Sequence, residues 1–219
     1  MAKPGRRAGQ NIRELELKRR LQAISAFGGA VLVLGVPLVL SSSANLPLIS
    51  WIVLVVIALW LTRRAAHHWK WAGYAAQGAR GEEEVARELA PLEEQGWQLE
   101  YGLSLGYPLG DADIICISPR GKAYVIDVKS HRGEVIAKED DRKHKRLHRR
   151  LGDKTFPFEK DFLEKMLQQA SAVQKQKHLN LVTPILAFSQ AKVSLPAPTV
   201  GQVYVVEKSS LVALLKSLG

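Results

Sequence analysis

The chain lacks the cysteines that a disulfide framework needs. Of its 219 residues one is cysteine, Cys116, which lies inside an apolar run and is interpreted as a buried strand residue. A single cysteine cannot form a disulfide within the chain, so nothing in the composition requires an oxidising compartment. The six histidines do not fall into the spacing of a zinc site, and no internal repeat is visible.

Acidic residues are scarce relative to basic ones. The chain has 21 Asp and Glu against 31 Lys and Arg, which gives a formal net charge of +10. A surplus of this size favours a negatively charged partner, either nucleic acid or an anionic lipid surface. The hydrophobic content of 47% is sufficient for one packed domain of ordinary size with additional segments.

Charged residues are missing from two long stretches near the N-terminus, 21–40 and 46–61, which a short polar turn separates. Twenty helical residues at about 1.5 Å each cover the roughly 30 Å hydrocarbon core of a bilayer. The second stretch is shorter, but snorkelling Arg63 and Arg64 can extend it. The alternatives are a cleaved signal peptide, which would not explain the second stretch, and a buried hairpin of a soluble protein. We expect a transmembrane helical hairpin.

Basic residues lie on both outer sides of this hairpin and are absent from its turn. The positive-inside rule therefore predicts an integral membrane protein with both termini and the soluble domain in the cytoplasm. The predicted organisation has four parts: a basic cytoplasmic N-terminus (1–20), the transmembrane hairpin (21–62), a juxtamembrane linker (63–80) and a soluble domain (81–219).

Periodicity in the soluble domain predicts an α/β fold, with a mixed sheet flanked by helices. The predicted elements, in chain order, are a helix at 81–94, strands at 97–104, 112–118 and 123–129, a helix at 158–179, strands at 182–188 and 203–206, and a last helix capped by Ser209 or Ser210. The polar residues from 130 to 157 show no clear pattern.

Two apolar runs carry the most informative polar residues. Asp113 opens the first run, and Asp127 and Lys129 close the second. Side chains two apart on a strand share a face, and two carboxylates with an ammonium at one sheet edge suit a divalent metal and an activated water. Asp111 competes with Asp113, although the apolar run favours Asp113. Asp127 and Lys129 could instead form an ordinary surface pair.

Two helices contribute further candidates. Glu82 shares the core-facing stripe of Val85, although the acids in this first turn could simply complement the helix dipole. In the later helix Gln169 could orient a phosphate or a water, with Gln168 and Gln174 as rivals.

A basic segment between the third strand and the later helix predicts nucleic-acid binding through the phosphate backbone. An anionic-lipid patch beside the hairpin and a merely solvated surface are the alternatives. The candidate residues are Arg142, Lys143, Lys145, Arg146, Arg149 and Arg150.

Three runs together resemble the NERD (nuclease-related domain) family. Residues 78–89 resemble its opening motif, 113–117 its second motif, and 119–129 followed by Gly133 its third. NERD domains are similar to the PD-(D/E)XK nuclease superfamily. The resemblance therefore implies a restriction-endonuclease-like fold and a phosphodiesterase site that depends on Mg²⁺ or Mn²⁺.

The resemblance also implies roles for individual residues. Glu82 matches the family's helix acid, Asp113 its strand acid, and Asp127 and Lys129 the acid and lysine of its E-x-K motif; Gln169 is the best match for its helix glutamine. Asp113 and Asp127, with Glu82, would hold the metal. The family usually has Glu where this chain has Asp127, which is one methylene shorter.

The sequence thus predicts a membrane-anchored, metal-dependent nuclease-like protein that hydrolyses DNA or RNA on the cytoplasmic side. The alternative is a catalytically silent, membrane-tethered module that binds nucleic acid or protein.

Overall fold

The computed structural model describes residues 7–40, 47–139 and 145–219. The chain divides into two compact units. One unit contains residues 11–77, and the other contains residues 78–219 together with the N-terminal residues up to Gln10.

The first unit is an antiparallel pair formed by helix α1 (Gln10–Leu40) and the N-terminal part of helix α2 (Leu48–Glu93). Near the open end of the pair, Nη1 of Arg19 donates a 3.0 Å hydrogen bond to the carbonyl of Trp71. The predicted turn at 41–45 lies outside the described residues.

Both helices are long and apolar enough to cross a membrane. In each, only 11% of the most apolar 18-residue stretch is buried, whereas the core helix of a soluble protein is mostly buried. The two helices therefore fit the expected hairpin. The predicted linker at 63–80 is helical throughout, because α2 continues through it to Glu93. This segment is rich in alanine and contains no proline, so its change of composition does not interrupt the helix.

The second unit is built on one mixed sheet of eight strands. Its strands are β1 (Gln98–Ser104), β2 (Asp111–Ile117), β3 (Ala123–Glu139), β4 (Lys145–Leu151), β5 (Lys154–Pro157), β6 (Val182–Val193), β7 (Thr199–Val200) and β8 (Val203–Glu207). The main order is β1-β2-β3-β6-β8-β7, and the β4–β5 hairpin pairs with the far half of β3. Strand β3 is antiparallel to β2 and β4 and parallel to β6, which is parallel to β8.

Helices cover both faces of this sheet. Helix α3 (Phe162–Lys177) packs on one face through residues such as Met166 and Val173. The last turns of α2 and helix α4 (Lys208–Leu218) pack on the other face, through residues such as Leu89 and Leu211. The predicted α/β class, a mixed sheet flanked by helices and preceded by two apolar helices, is confirmed.

The second half of β3 and the β4–β5 hairpin were not predicted from the sequence. β3 continues ten residues beyond Lys129, and its residues 134–139 pair with β4. These strands are mostly solvated on one face, so their residues are polar and give no apolar run. Of their side chains, Val135 and Leu147 are buried.

Two helix starts also differ from expectation. α3 begins at Phe162 rather than 158, because the Asp161 carboxylate accepts hydrogen bonds from the N–H groups of Leu163 and Glu164, both at 3.1 Å. α4 begins at Lys208, so Ser209 and Ser210 lie inside the helix and do not cap it.

Candidate active site

Asp113 and Asp127 lie on neighbouring antiparallel strands, next to the pair formed by Ile114 and Ile126. Oδ2 of Asp113 accepts a 2.7 Å hydrogen bond from the N–H of Val128. Both acids are on the face of the sheet that α3 covers, because the side chains two residues along belong to the core beneath α3.

Asp127 is 2% exposed and pairs with two lysines. Its Oδ2 pairs with Nζ of Lys129, and its Oδ1 accepts a hydrogen bond from Nζ of Lys165 at 3.2 Å. Burial by itself would raise the pKa of Asp127, but the two ammonium groups outweigh it and hold that pKa below its usual value. Asp127 is therefore a carboxylate at neutral pH.

Lys129 remains protonated for the complementary reason. Burial acts to lower the pKa of Lys129, but Asp127 and Asp113 outweigh it and raise that pKa above its usual value. The ammonium also lies over the ring of Phe162, 5.2 Å from its centroid. The contacts with Asp127 and Phe162 hold the ammonium group of Lys129 beside the acid pair.

The pKa of Asp113 is shifted in the opposite direction to that of Asp127. Burial raises the pKa of Asp113 well above its usual value, and the carboxylates of Asp127 and Glu82 raise it further. In the absence of a cation, this acid is held towards its neutral form. The sheet therefore places one ionised and one largely neutral carboxyl group side by side.

Glu82 approaches the acid pair from α2, in the layer of helices on the other face of the sheet. It is 9% exposed, and its Oε2 accepts a 3.1 Å hydrogen bond from the N–H of Gly9. Burial raises the pKa of Glu82 to about 7; the Gly9 hydrogen bond opposes this shift and Asp127 adds to it. The charge of Asp127 thus acts on Glu82, and the predicted role of Glu82 as a metal ligand stays a prediction.

Gly81 permits this approach of α2. A methyl group on Gly81 would lie 2.8 Å from Oγ of Ser189 and even closer to Oγ of Ser130. The two hydroxyl groups are 3.1 Å apart, on β6 and β3. A side chain at position 81 would therefore push α2, and Glu82 with it, away from the sheet.

Gln169 is fully buried and fixes the loop before β2. Its Nε2 donates to the carbonyls of Leu109 and Asp111, at 3.3 and 3.1 Å. Its Oε1 has no hydrogen-bond partner in the part of the chain that the structure describes. The contacts of Gln169 are thus with the backbone that leads into Asp113, and its predicted role at phosphate or water stays a prediction.

Sequence reasoning missed Lys165, which lies one helical turn before Gln169 and contacts Asp127 directly. The available signal was its i, i+4 relation to Gln169, which puts both on one stripe of α3. Asp111, the rival of Asp113, precedes it by two residues and binds Gln169 through its carbonyl.

Four of the predicted nucleic-acid-binding residues lie on β4, while Arg142 and Lys143 lie outside the described residues. Arg150 pairs with Glu134, with Nε at 2.7 Å, and Nε of Arg146 lies 3.4 Å from Asp161. Lys145 is exposed. Arg149 is close enough to the site to act on His131, whose pKa is lowered by burial and then by Lys129 and Arg149.

The predicted metal ligands do not form a complete set. Among residues 7–40, 47–139 and 145–219, no three Asp, Glu, His or Cys side chains are grouped so that they could hold a metal ion. However, Mg²⁺ binds proteins through one or two carboxylates and keeps several waters. Asp113 and Asp127 offer two hard oxygen donors, and the pKa of Asp113 is raised first by burial and then by the carboxylate of Asp127, whose charge a cation would neutralise. The chemistry of this pair fits a hard divalent cation.

Comparison with known families identifies the class of protein. The nuclease-related domain family (NERD) matches residues 77–189, just over half of the chain. The chain therefore belongs to the nuclease-related domain family. The matched range contains every member of the predicted catalytic set, from Glu82 to Gln169. No curated protein and no solved structure gives a significant match.

Proposed function

We propose that this protein is a membrane-anchored, metal-dependent nuclease that hydrolyses phosphodiester bonds of nucleic acid. The observation that carries the proposal is the cluster of buried Asp127 with half-buried Asp113 and Lys129 within a nuclease-related domain. A buried carboxylate beside a second carboxyl group and an ammonium is costly for a fold to maintain, so a chemical role accounts for this cluster best.

Asp113 and Asp127 would hold the divalent cation. When bound, such an ion supplies Lewis-acid chemistry and lowers the pKa of a coordinated water. Lys129 positions the attacking water and stabilises the negative charge that develops on the phosphate. Glu82, with a pKa of about 7, can hold or release a proton near neutral pH at the edge of this pair.

The β4–β5 hairpin would bind the phosphate backbone. It extends from the same strand, β3, that carries Asp127 and Lys129, and β4 brings four basic side chains with it. Binding through such side chains depends on salt concentration and tolerates many sequences. This agrees with a positive net charge of +10.

The α1–α2 hairpin would anchor the protein in the membrane, with both termini and the nuclease domain in the cytoplasm. The basic residues that flank the hairpin support this orientation. Protease treatment of sealed inside-out and right-side-out vesicles tests it. We expect cleavage of the 78–219 unit only in inside-out vesicles, and cleavage only in right-side-out vesicles would reverse the proposed orientation.

Cleavage of labelled DNA and RNA by the full-length chain in detergent tests the enzymatic proposal. Wild type should cut one of these substrates with Mg²⁺ or Mn²⁺ and not with EDTA. Asp127→Asn and Lys129→Met should each lower the rate at least 100-fold, whereas Lys175→Gln, an exposed change on α3, should not. Equal rates for wild type and both site variants would refute the assignment.

A silent binding module is the second candidate. It is favoured by one observation, that Lys129 and Lys165 occupy both oxygens of Asp127. Nucleic-acid binding that is unaffected by EDTA, with no cleavage under any metal condition, would support this alternative.

A further inference from the structure

Lys165 has no assigned role, yet it makes the most direct contact that α3 has with the acid pair. Its Nζ lies 3.2 Å from Oδ1 of Asp127, on the oxygen that Lys129 does not use. A carboxylate has two oxygens, so this contact completes the pairing of Asp127. A hard cation bound at Asp127 needs at least one of these oxygens.

Lys129 and Lys165 differ in how firmly the fold holds their ammonium groups at Asp127. Lys129 comes from the central strand β3, is 17% exposed, and lies over the ring of Phe162. Lys165 comes from the surface of α3 and is 35% exposed. An ammonium on a flexible stem at a partly exposed position can move into water at small cost, because solvation replaces much of the lost ion pair. Of the two, Lys165 is the one that can leave.

We propose that Lys165 is the resident counter-ion of Asp127, which a divalent cation displaces from Oδ1 when it binds. Lys165 keeps the buried carboxylate neutralised and in position without a cation. It then swings out towards solvent when the cation takes its place. Lys165 is thus a positioning residue that sets the affinity of the site for its metal. The inference rests on the proposed function, because it takes Asp127 as a metal ligand.

The consequence is a competition that can be measured without any nuclease assay. Removing the charge of Lys165 removes a competitor for Oδ1 and also removes repulsion between an ammonium and the incoming cation. Cation affinity should therefore rise when Lys165 is neutralised. A lysine that only braces α3 against the sheet would give lower stability and no gain in affinity.

The test is calorimetric titration of Mn²⁺ alone into the full-length chain in detergent, after treatment with EDTA and dialysis. Lys165→Gln should bind Mn²⁺ about fivefold more tightly than wild type, an effect of the size of a partly exposed ion pair. Lys165→Arg, which keeps the charge, and Lys175→Gln, which removes an exposed charge from the same helix, should stay within about twofold of wild type. If Lys165→Gln does not fold, Lys165→Met keeps the apolar stem without the charge.

The outcomes separate this inference from the proposed function. Tighter binding by the neutral variant supports the inference whether or not the protein cuts nucleic acid. Equal or weaker binding by that variant, in a protein that does cleave, overturns the inference and leaves the nuclease intact. Binding by the variant alone overturns the inference, because the cation then fails to displace Lys165 in wild type, and it argues against a metal-loaded wild-type enzyme. No binding by either protein overturns both.

Discussion

The N–H of Val128 donates a 2.7 Å hydrogen bond to Oδ2 of Asp113. Val128 lies between Asp127 and Lys129 in sequence, so this bond ties the first acid to the strand segment that carries the other two site residues. Asp113 therefore has two separable roles: it accepts a backbone hydrogen bond, and it supplies a carboxyl group to the cluster.

Substitution of Asp113 separates these roles. Asp113→Asn retains an oxygen that can accept from Val128, so it should change the free energy of unfolding by less than about 1 kcal/mol. Asp113→Ala leaves a buried N–H without a partner and should cost about 1–3 kcal/mol. Both should weaken Mn²⁺ binding at least tenfold. Denaturation and Mn²⁺ titration check this, and an Asn variant that binds Mn²⁺ as wild type does would exclude Asp113 as a ligand.

Glu82 should make stability depend on pH. Its folded pKa of about 7 exceeds the usual 4.5, so between these values the folded state binds more protons than the unfolded state. Its stabilising contribution is complete below pH 4.5 and is lost as pH rises through about 7. The loss amounts to about 3 kcal/mol. Asp113, whose pKa is also raised, acts in the same direction.

The matched variant for this effect is Glu82→Gln, which keeps an acceptor for the Gly9 N–H. In metal-free buffer its melting temperature should exceed that of wild type at pH 8, and the difference should shrink towards pH 5. Glu94→Gln, which removes an exposed acid just beyond the same helix, is the control and should show no such trend. A constant difference across this range would contradict the raised pKa of Glu82.

Gly81 should resist substitution for steric reasons alone. Gly81→Ala would place a methyl group against Oγ of Ser130 and Ser189, and overpacking of this kind costs about 1–3 kcal/mol. Gly73 lies in the same helix with nothing within 4 Å of an added methyl group, so Gly73→Ala should instead stabilise by up to about 1 kcal/mol. Ser130→Ala should recover part of the Gly81→Ala loss, and strictly additive effects would rule out the contact.

Much of the sheet was predictable because its central strands are buried on both faces. Such strands give unbroken apolar runs, and the predicted strands that carry Asp113 and Asp127 differ from β2 and the first half of β3 by at most one residue at each end. The β4–β5 hairpin could not be found in this way, since β4 pairs with β3 and β5 with β4 through the backbone, while most of their side chains face water. Residues 63–80 were predicted to be a linker because their composition differs from that of the apolar stretch before them, but this composition is compatible with the helix α2.

For the candidate site, the alternation of side chains along a strand predicts which residues share a face of the sheet, but not which residues of neighbouring strands meet. Asp111 and Asp113 share a face of β2, so the period of two cannot choose between them; the pairing of Ile114 with Ile126 does. Lys165 shares the α3 stripe of Gln169, but its contact with Asp127 could not be predicted from sequence, because that contact depends on how α3 lies on the sheet. The buried position of Glu82 could be predicted because its helical stripe is strongly apolar.

Gln169 should prove more important for stability than its neighbour. Gln169→Leu removes both donors to the carbonyls of Leu109 and Asp111, and should cost about 1–3 kcal/mol. Gln168→Leu is the matched control, since Gln168 is exposed and its Nε2 donates to Oε1 of Glu164 on the same helix, at 3.2 Å. Its effect should stay within about 0.5 kcal/mol. A Gln169→Leu protein of wild-type stability without cleavage activity would instead favour a direct role at the phosphate.

The basic side chains of β4 should not contribute equally to nucleic-acid binding. Arg150 is engaged with Glu134, so a phosphate must compete with a carboxylate for it, whereas Lys145 is exposed. Lys145→Gln should therefore weaken binding and reduce the slope of log affinity against log salt by about 0.7–0.9, the value for one phosphate contact. Arg150→Gln should change the slope less. Anisotropy of a labelled oligonucleotide at several KCl concentrations measures both, with EDTA present to prevent cleavage. Equal slopes for wild type and Lys145→Gln would show that nucleic acid does not contact the start of β4.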